Sequence, residues 1–201
     1  MSNRIIFATG NKDKMNEVRE ILGDIDMEIL SMAEAGVETD VEENGTTFEE
    51  NALIKARAIA EKVDDLVLAD DSGLEIDYLG GEPGVYSARY MGKDTPYEIK
   101  NQNFIDRLDG VEGGDRSAHF VCAIAAVLPD KSELVVRGTM DGWIAKEPKG
   151  ENGFGYDPVF YLPEKGCTTA QLSPEDKHAI SHRGKALRMM REELQKKLKK
   201  I

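Results

Sequence analysis

Leu66-Val67-Leu68-Ala69-Asp70-Asp71-Ser72-Gly73-Leu74 is the stretch on which the reading of this chain turns. Four apolar residues predict a strand, and two adjacent carboxylates, a small hydroxyl and a glycine follow it. A strand that ends in Asp-Asp delivers negative charge to the rim of a sheet, where α/β proteins usually keep their ligands. Neighbouring aspartates repel each other, and a bound cation removes that cost most easily. Oxygen-only ligands favour Mg2+ over zinc or copper. Asp-Ser-Gly is also ordinary turn chemistry, so the segment alone reads equally as a polar turn between two strands.

Working outward toward the N-terminus, Arg4 to Ala8 is a short β-run that stops at Thr9-Gly10-Asn11. A helix is expected from Lys12 to Leu22, with Met15, Val18, Ile21 and Leu22 on one face. Strand, small-residue turn and helix together offer backbone N–H groups and a helix N-terminus to a phosphate. Thr9-Gly10-Asn11-Lys12-Asp13-Lys14 lacks the Gly-Lys-Ser/Thr ending of a Walker A loop. Read by itself it is equally a tight βα turn with Asn11 as N-cap. A second strand, Met27 to Ser31, completes a βαβ unit. The next stretch is densely acidic, with Glu38, Asp40, Glu42, Glu43, Glu49 and Glu50, and then a helix is expected to about Val63. On that helix Thr47, Asn51 and Lys55 fall at i, i+4 and i+8, one polar stripe. Lys55 is a surface lysine on the ordinary reading, and a phosphate clamp if this helix flanks Asp70 and Asp71.

Toward the C-terminus, Gly80 to Gly84 reads as a turn, and Thr95-Pro96 as the cap and first residue of a helix reaching Leu108. Asp109 to Asp115, with three glycines, reads as a hinge. Arg116–Leu128 and Glu133–Asp141 are expected as a hairpin through Pro129-Asp130-Lys131-Ser132, with Trp143 and Ile144 as a possible extension. Gly153-Phe154-Gly155 holds an aromatic ring between freely placed backbone, which suits stacking on a planar base but also suits a plain β-turn. Ser173-Pro174-Glu175-Asp176 has the cap and proline of a helix start. Ser181-His182-Arg183-Gly184 precedes a long amphipathic helix with Leu187, Met190, Leu194 and Leu198 on its apolar face.

Composition bounds the function. The 201 residues fit one large domain or a domain of two lobes, with ample core. A net charge of -12 opposes a general nucleic-acid surface, although a few local lysines and arginines can still hold one triphosphate. Cys122 and Cys167 lack metal-ligand spacing and are expected as free thiols in a reducing compartment. Met1-Ser2-Asn3-Arg4 leads directly into a strand rather than a signal peptide, and no apolar run spans a bilayer. The expectation is a soluble cytoplasmic α/β protein.

Thr9-Gly10-Asn11-x-x-Lys14, Asp70-Asp71-Ser72-Gly73, Phe154-Gly155-Tyr156-Asp157 and Ser181-His182-Arg183, in this order, closely resemble the RdgB/ITPase family of inosine/xanthosine triphosphate pyrophosphatases. The resemblance runs from Thr9 to about Lys185. It implies an elongated mixed-sheet α/β fold of the Maf/Ham-like kind, with a deep active-site cleft between two lobes. These are expected at about 1–108 plus 163–201, and about 109–162. It further implies a homodimer that needs Mg2+ and hydrolyses ITP, dITP, XTP and dXTP to the monophosphate and pyrophosphate, clearing damaged precursors from the nucleotide pool.

By that resemblance Asp71 positions and deprotonates the attacking water, with Asp70 in support, and the metal is held by Asp71 and Glu42, with Glu43 the neighbouring alternative. Thr9, Gly10, Asn11, Lys12, Asp13, Lys14, Lys55, Ser72 and Lys177 would grip the triphosphate. Phe154, with Gly155 and Tyr156, would form the base platform, and Asp157, His182 and Arg183 would surround the base edge. Two other readings compete: a Maf-type pyrophosphatase for modified pyrimidine nucleotides, and a non-catalytic nucleotide sensor.

Overall fold

The structure, a computed structural model, describes residues 3–23 and 25–198, the side chains of Asp13 and Leu198 excepted. Among the described residues, strands β1 (Arg4–Phe7), β2 (Glu28–Ser31), β3 (Leu66–Ile76), β4 (Ser117–Val127), β5 (Glu133–Ile144), β6 (Phe160–Leu162) and β7 (Cys167–Thr168) form one mixed sheet. Its order is β2-β1-β3-β4-β5-β6-β7. The helices are α1 (Lys12–Leu22), α2 (Phe48–Ala60), α3 (Tyr97–Arg107), α4 (Pro174–Ile180) and α5 (His182–Leu198). None is long and apolar enough to cross a membrane among the described residues.

The chain divides into two compact units. Unit 1 is Met1–Asp71, Cys122–Gly138 and Arg183–Ile201; unit 2 is Ser72–Val121 and Thr139–His182. The lobes expected at 1–108 plus 163–201 and 109–162 cut the chain elsewhere. The reason for the difference is strand length: β3, β4 and β5 each contribute residues to both units, so the Asp109–Asp115 segment falls inside unit 2 instead of at a boundary.

In unit 1, β1 pairs in parallel with both β2 and β3, in registers Ile6↔Leu30 and Ile6↔Val67. Parallel strands covered on both faces read as continuous apolar runs, which is what Ile5-Ile6-Phe7 and Leu66-Val67-Leu68 are. Met15, Val18 and Leu22 of α1 and Leu187, Met190 and Leu194 of α5 join these strands in one buried cluster. In unit 2, β6 pairs antiparallel with β5 and β7. A second cluster gathers Leu74, Ile76, Phe104, Phe120, Tyr156 and Phe160. Strand β5 alternates exposed and buried positions along most of its length and includes Trp143 and Ile144, as its period-2 pattern predicts.

Three local expectations are corrected. The Asp-Asp pair does not end a strand, because β3 runs unbroken through both carboxylates to Ile76. Thr95 is not the cap of α3: its hydroxyl donates to the Met91 carbonyl at 2.7 Å, and Pro96 occupies the cap position. Helix α5 begins at His182, so the Ser181-His182-Arg183 segment enters the helix instead of preceding it. Ser173, by contrast, caps α4 as its sequence signals, accepting from the Asp176 N–H at 3.1 Å.

Candidate active site

Within unit 1, β1 and β3 bring the glycine-containing turn and the aspartates to neighbouring positions in the sheet. The turn caps α1: Asn11 Oδ1 accepts from the Lys14 N–H at 3.2 Å, and Thr9 Oγ1 accepts from the Asn11 N–H at 3.1 Å. The N-cap reading of Asn11 thus holds, and Gly10 and Lys12 stay exposed beside it. The side chain of Asp13 lies outside the described residues. Lys14 reaches back from the first turn of α1 and donates to Asp70 Oδ2 at 2.8 Å. A groove of about 780 Å³ adjoins this turn, with Thr9, Asn11, Lys12, Asn16 and Arg19 in its wall.

Asp70 is 1 % exposed and surrounded by cations. Besides Lys14, the Arg183 Nε lies 3.6 Å from Asp70 Oδ2, and Lys55 Nζ donates to the Asp70 carbonyl at 2.9 Å. Burial alone would raise this carboxyl, but Lys14, Arg183 and Lys55 together outweigh it and hold Asp70 well below the usual carboxylate range. Its Oδ1 is buried with no hydrogen-bond partner among the described residues. Arg183, itself buried, also donates to Glu17 on α1, and its guanidinium is raised further above its ordinary value.

Asp71 has the opposite electrostatics. Burial raises its carboxyl, and nearby Glu43 and Asp70 add to this against the opposing pull of Lys55 and the Asn51 amide. Asn51 Nδ2 donates to Asp71 Oδ2 at 3.0 Å. These partners explain why two adjacent aspartates remain in the middle of a strand: each carboxylate is held by side chains from other elements, so the chain does not need to turn out to water.

Helix α2 supplies that support. It starts with a reciprocal cap between Thr47 and Glu50. One turn in, Asn51 faces Asp71, and another turn on, Lys55 lies 3.1 Å from Glu43 Oε1 as well as against Asp70. Of the i, i+4, i+8 stripe read from the sequence, Asn51 and Lys55 face β3, whereas Thr47 is exposed and its hydroxyl caps α2. Of the two glutamates considered as metal ligands, Glu43 is brought to this cluster and Glu42 is exposed. Among the described residues no group of three or more His, Cys, Asp or Glu is placed to hold a metal ion. Mg2+ commonly takes only one or two protein carboxylates and completes its shell with water and substrate phosphates. The carboxylates of Asp71 and Glu43 are close enough to repel each other, and both offer oxygen donors, so these residues fit a hard divalent cation.

Unit 2 carries the remaining predicted residues, starting with half-buried Ser72 on β3. Phe154 is 41 % exposed between Gly153 (φ 74°) and Gly155 (φ 67°). Asp157 builds this loop from beneath: Oδ2 accepts from the Phe154 N–H at 2.8 Å and from Lys177 Nζ at 2.5 Å, while Oδ1 accepts from Thr169 Oγ1 at 2.8 Å. A Cβ on Gly153 would stand 2.2 Å from Asp157 Oδ2, so the turn requires glycine. Tyr156 is core, donating to the Ser87 carbonyl at 2.6 Å and meeting Tyr97 edge-on. Its phenol is raised well above its ordinary value by burial. Lys177 Nζ lies 5.1 Å from the centre of the Phe154 ring. His182 is buried and stacks on Phe120, centroids 4.9 Å apart.

The structure separates two neighbours that the sequence grouped. His182 packs among the aromatics of unit 2, whereas the Arg183 side chain points to Asp70 and Glu17 in unit 1. Residues outside the predicted set also take part: Glu17, Asn51, Thr169 and Asn101, whose Nδ2 donates to the Gly155 carbonyl at 3.1 Å. Only Asn51 had a sequence signal, its place on the polar stripe.

Fold and arrangement define a class: a mixed α/β protein with a capped βα turn beside a buried, cation-held carboxylate pair, the parts of a phosphate-handling enzyme. The chain belongs to the Ham1 family, whose model matches residues 5–193. It is 46 % identical over 196 residues to the dITP/XTP pyrophosphatase of Caldanaerobacter subterraneus subsp. tengcongensis, covering 97 % of this chain and 98 % of that one. It is 46 % identical over 185 residues to the dITP/XTP pyrophosphatase of Bacillus subtilis, covering 92 % and 93 %. The solved HAM1 protein of Coxiella burnetii superposes with a TM-score of 0.89 at 42 % identity, covering 98 % of this chain and all of that one. The resemblance carried by the four motifs is thereby borne out.

Proposed function

We propose that this protein hydrolyses the α–β phosphoanhydride of non-standard purine nucleoside triphosphates (ITP, dITP, XTP and dXTP), releasing the monophosphate and pyrophosphate. The relatives' names support the substrate class. The observation that carries the chemistry is the split between Asp70 and Asp71: one carboxylate is held ionised by three cations, its neighbour is raised by burial. Paired acids whose environments push them apart mark an acid–base assignment. Asp71 is the proton acceptor that orients and deprotonates the attacking water, and Asp70 is its fixed negative neighbour.

Mg2+ is the metal we assign, held by Asp71 with a carboxylate of the Glu42–Glu43 pair; when bound it neutralises phosphate charge. Gly10 and Lys12 present N–H groups and the α1 N-terminus to phosphate oxygens, on a turn that Thr9 and Asn11 shape through their own bonds. Lys14 and Lys55 add positive charge. Ser72 and Lys177 are assigned to the triphosphate as well.

In unit 2, Phe154 is the stacking face for the base, and Gly155 and Tyr156 set its backbone. Asp157 has both carboxylate oxygens committed to the loop, so we assign it to shaping the platform rather than reading the base. His182 is the candidate donor to the 6-keto oxygen of hypoxanthine or xanthine. A donor there meets another donor in the 6-amino group of adenine, and leaving such groups unpaired is costly enough to reject adenine strongly. Arg183, engaged with Asp70, is assigned to holding that carboxylate ionised. We further assign the family's homodimeric state and a cytoplasmic setting, and no nucleic-acid polymer as partner, in keeping with the net charge of -12.

The test is pyrophosphate release from ITP in Mg2+ by the native chain and by Asp71→Asn. Turnover is expected to disappear in the variant with the fold kept; near-native rates would remove Asp71 from its role.

A further inference from the structure

We infer that Asn51 is a positioning residue for Asp71, helping to fix the orientation of that carboxylate through the hydrogen bond from its amide. The inference rests on the assignment of Asp71 as the proton acceptor and adds to it a residue outside the set predicted from the motifs.

Both ends of the Asn51 amide are used. Its Oδ1 accepts from the Gly45 N–H at 2.8 Å, and its Nδ2 donates to Asp71 Oδ2 at 3.0 Å. The amide cannot be reversed, because a backbone N–H only donates and an ionised carboxylate only accepts. The side chain is 1 % exposed, so water does not substitute for either bond. A Cβ at Gly45 would come within 2.7 Å of Asn51 Oδ1, so glycine is what lets that backbone approach the amide.

Asn51 therefore ties the acidic segment that carries Glu42 and Glu43 to the central carboxylate of β3. Lys55, one turn along α2, makes the parallel tie from Glu43 to the Asp70 backbone. A carboxylate free to rotate about its Cα–Cβ and Cβ–Cγ bonds samples many orientations, whereas one held at Oδ2 presents a fixed plane to water and cation. Partners that orient a ligating or basic carboxylate typically cost 10–100-fold in activity when removed.

Asn51→Ala removes both bonds and leaves a space, and the near-isosteric Asn51→Leu removes both bonds while keeping the volume and adding no charge beside Asp71. Both are measured for kcat and KM on ITP with Mg2+, for calorimetric affinity toward an ITP analogue with a non-hydrolysable α–β bridge, and for Tm. The expected result is a fall in kcat of roughly 10–100-fold in both variants, with KM and analogue affinity changed by less than about threefold. Native kcat in either folded variant, Asn51→Leu or Asn51→Ala, overturns the inference. Loss of analogue affinity in step with kcat also overturns it, since that is the mark of a damaged fold or binding surface. Asp71→Asn in the same assay separates the two assignments: if it keeps turnover, the role of Asp71 fails, and if it is dead while both Asn51 variants are native, only this inference does.

Discussion

Asp70 and Asp71 are adjacent, alike and both buried, yet their surroundings divide them. Lys14, Arg183 and Lys55 hold Asp70 ionised, and burial raises Asp71. For Asp70, whose folded value lies below its unfolded one, the stabilisation is present at neutral pH and lost as pH falls through the folded value. Asp70→Asn leaves Lys14 and Arg183 without their shared counter-charge; breaking a buried pair costs about 3–5 kcal/mol. Urea denaturation at pH 7 is expected to show a loss of that order, and an unchanged midpoint would mean the cations are satisfied elsewhere. For Asp71, raised in the fold, the sign reverses: its contribution is full at low pH and is lost as pH rises through the folded value. Asp71→Asn is therefore expected to raise Tm at pH 7, by about 2–4 °C per kcal/mol gained in a chain of this size, while it removes activity. A lowered Tm would contradict the burial argument.

At the scale of elements, the Gly153–Asp157 loop and helix α2 do the organising. The loop is held by one carboxylate, with Asp157 accepting from Phe154 N–H, Lys177 and Thr169. Phe154→Ala removes the stacking face and leaves that scaffold; at about 1–3 kcal/mol per stacked base it is expected to raise KM for ITP roughly 5–150-fold with kcat less affected. An unchanged KM would refute stacking. Gly153→Ala drives a methyl into Asp157 and is expected to lose both affinity and Tm, measured by the same KM assay and a thermal melt. The sequence displayed much of this scale. Hydrophobic periodicity placed α1 and α2, the Ser173-Pro174 cap placed α4, and the glycines flanking Phe154 marked the loop. What it did not display are partners distant in the chain: Glu17 meets Arg183 across 166 positions, and Asn51 meets Asp71 across 20. Such pairs are set by packing: the polar stripe marked Asn51 without naming its partner, and no local pattern marked Glu17. The unbroken run of β3 through two acids was hidden for the same reason, because the cations that make it possible come from α1, α2 and α5.

At the scale of the whole molecule, the two compact units hold different chemistry. Unit 1 has the βα turn, the carboxylates and their cations; unit 2 has the aromatic loop, Lys177 and His182. The order of the four motifs made family and class legible, since each stands at its own place in this chain's succession of strand, turn and helix. The lobe boundaries were not legible, because three strands serve both units. An overall charge of -12 requires that a tetra-anionic substrate be drawn by local positive groups and a cation rather than by the molecule's general field. The most direct measurement is the product analysis of ITP and ATP hydrolysis, with Mg2+ and with EDTA. IMP and pyrophosphate from ITP, dependent on Mg2+, with ATP slower by roughly 10⁴-fold or more, is the predicted result. IDP and orthophosphate, or equal rates on ATP, would contradict the assignment of Asp71 to the α–β bond and of unit 2 to reading the base.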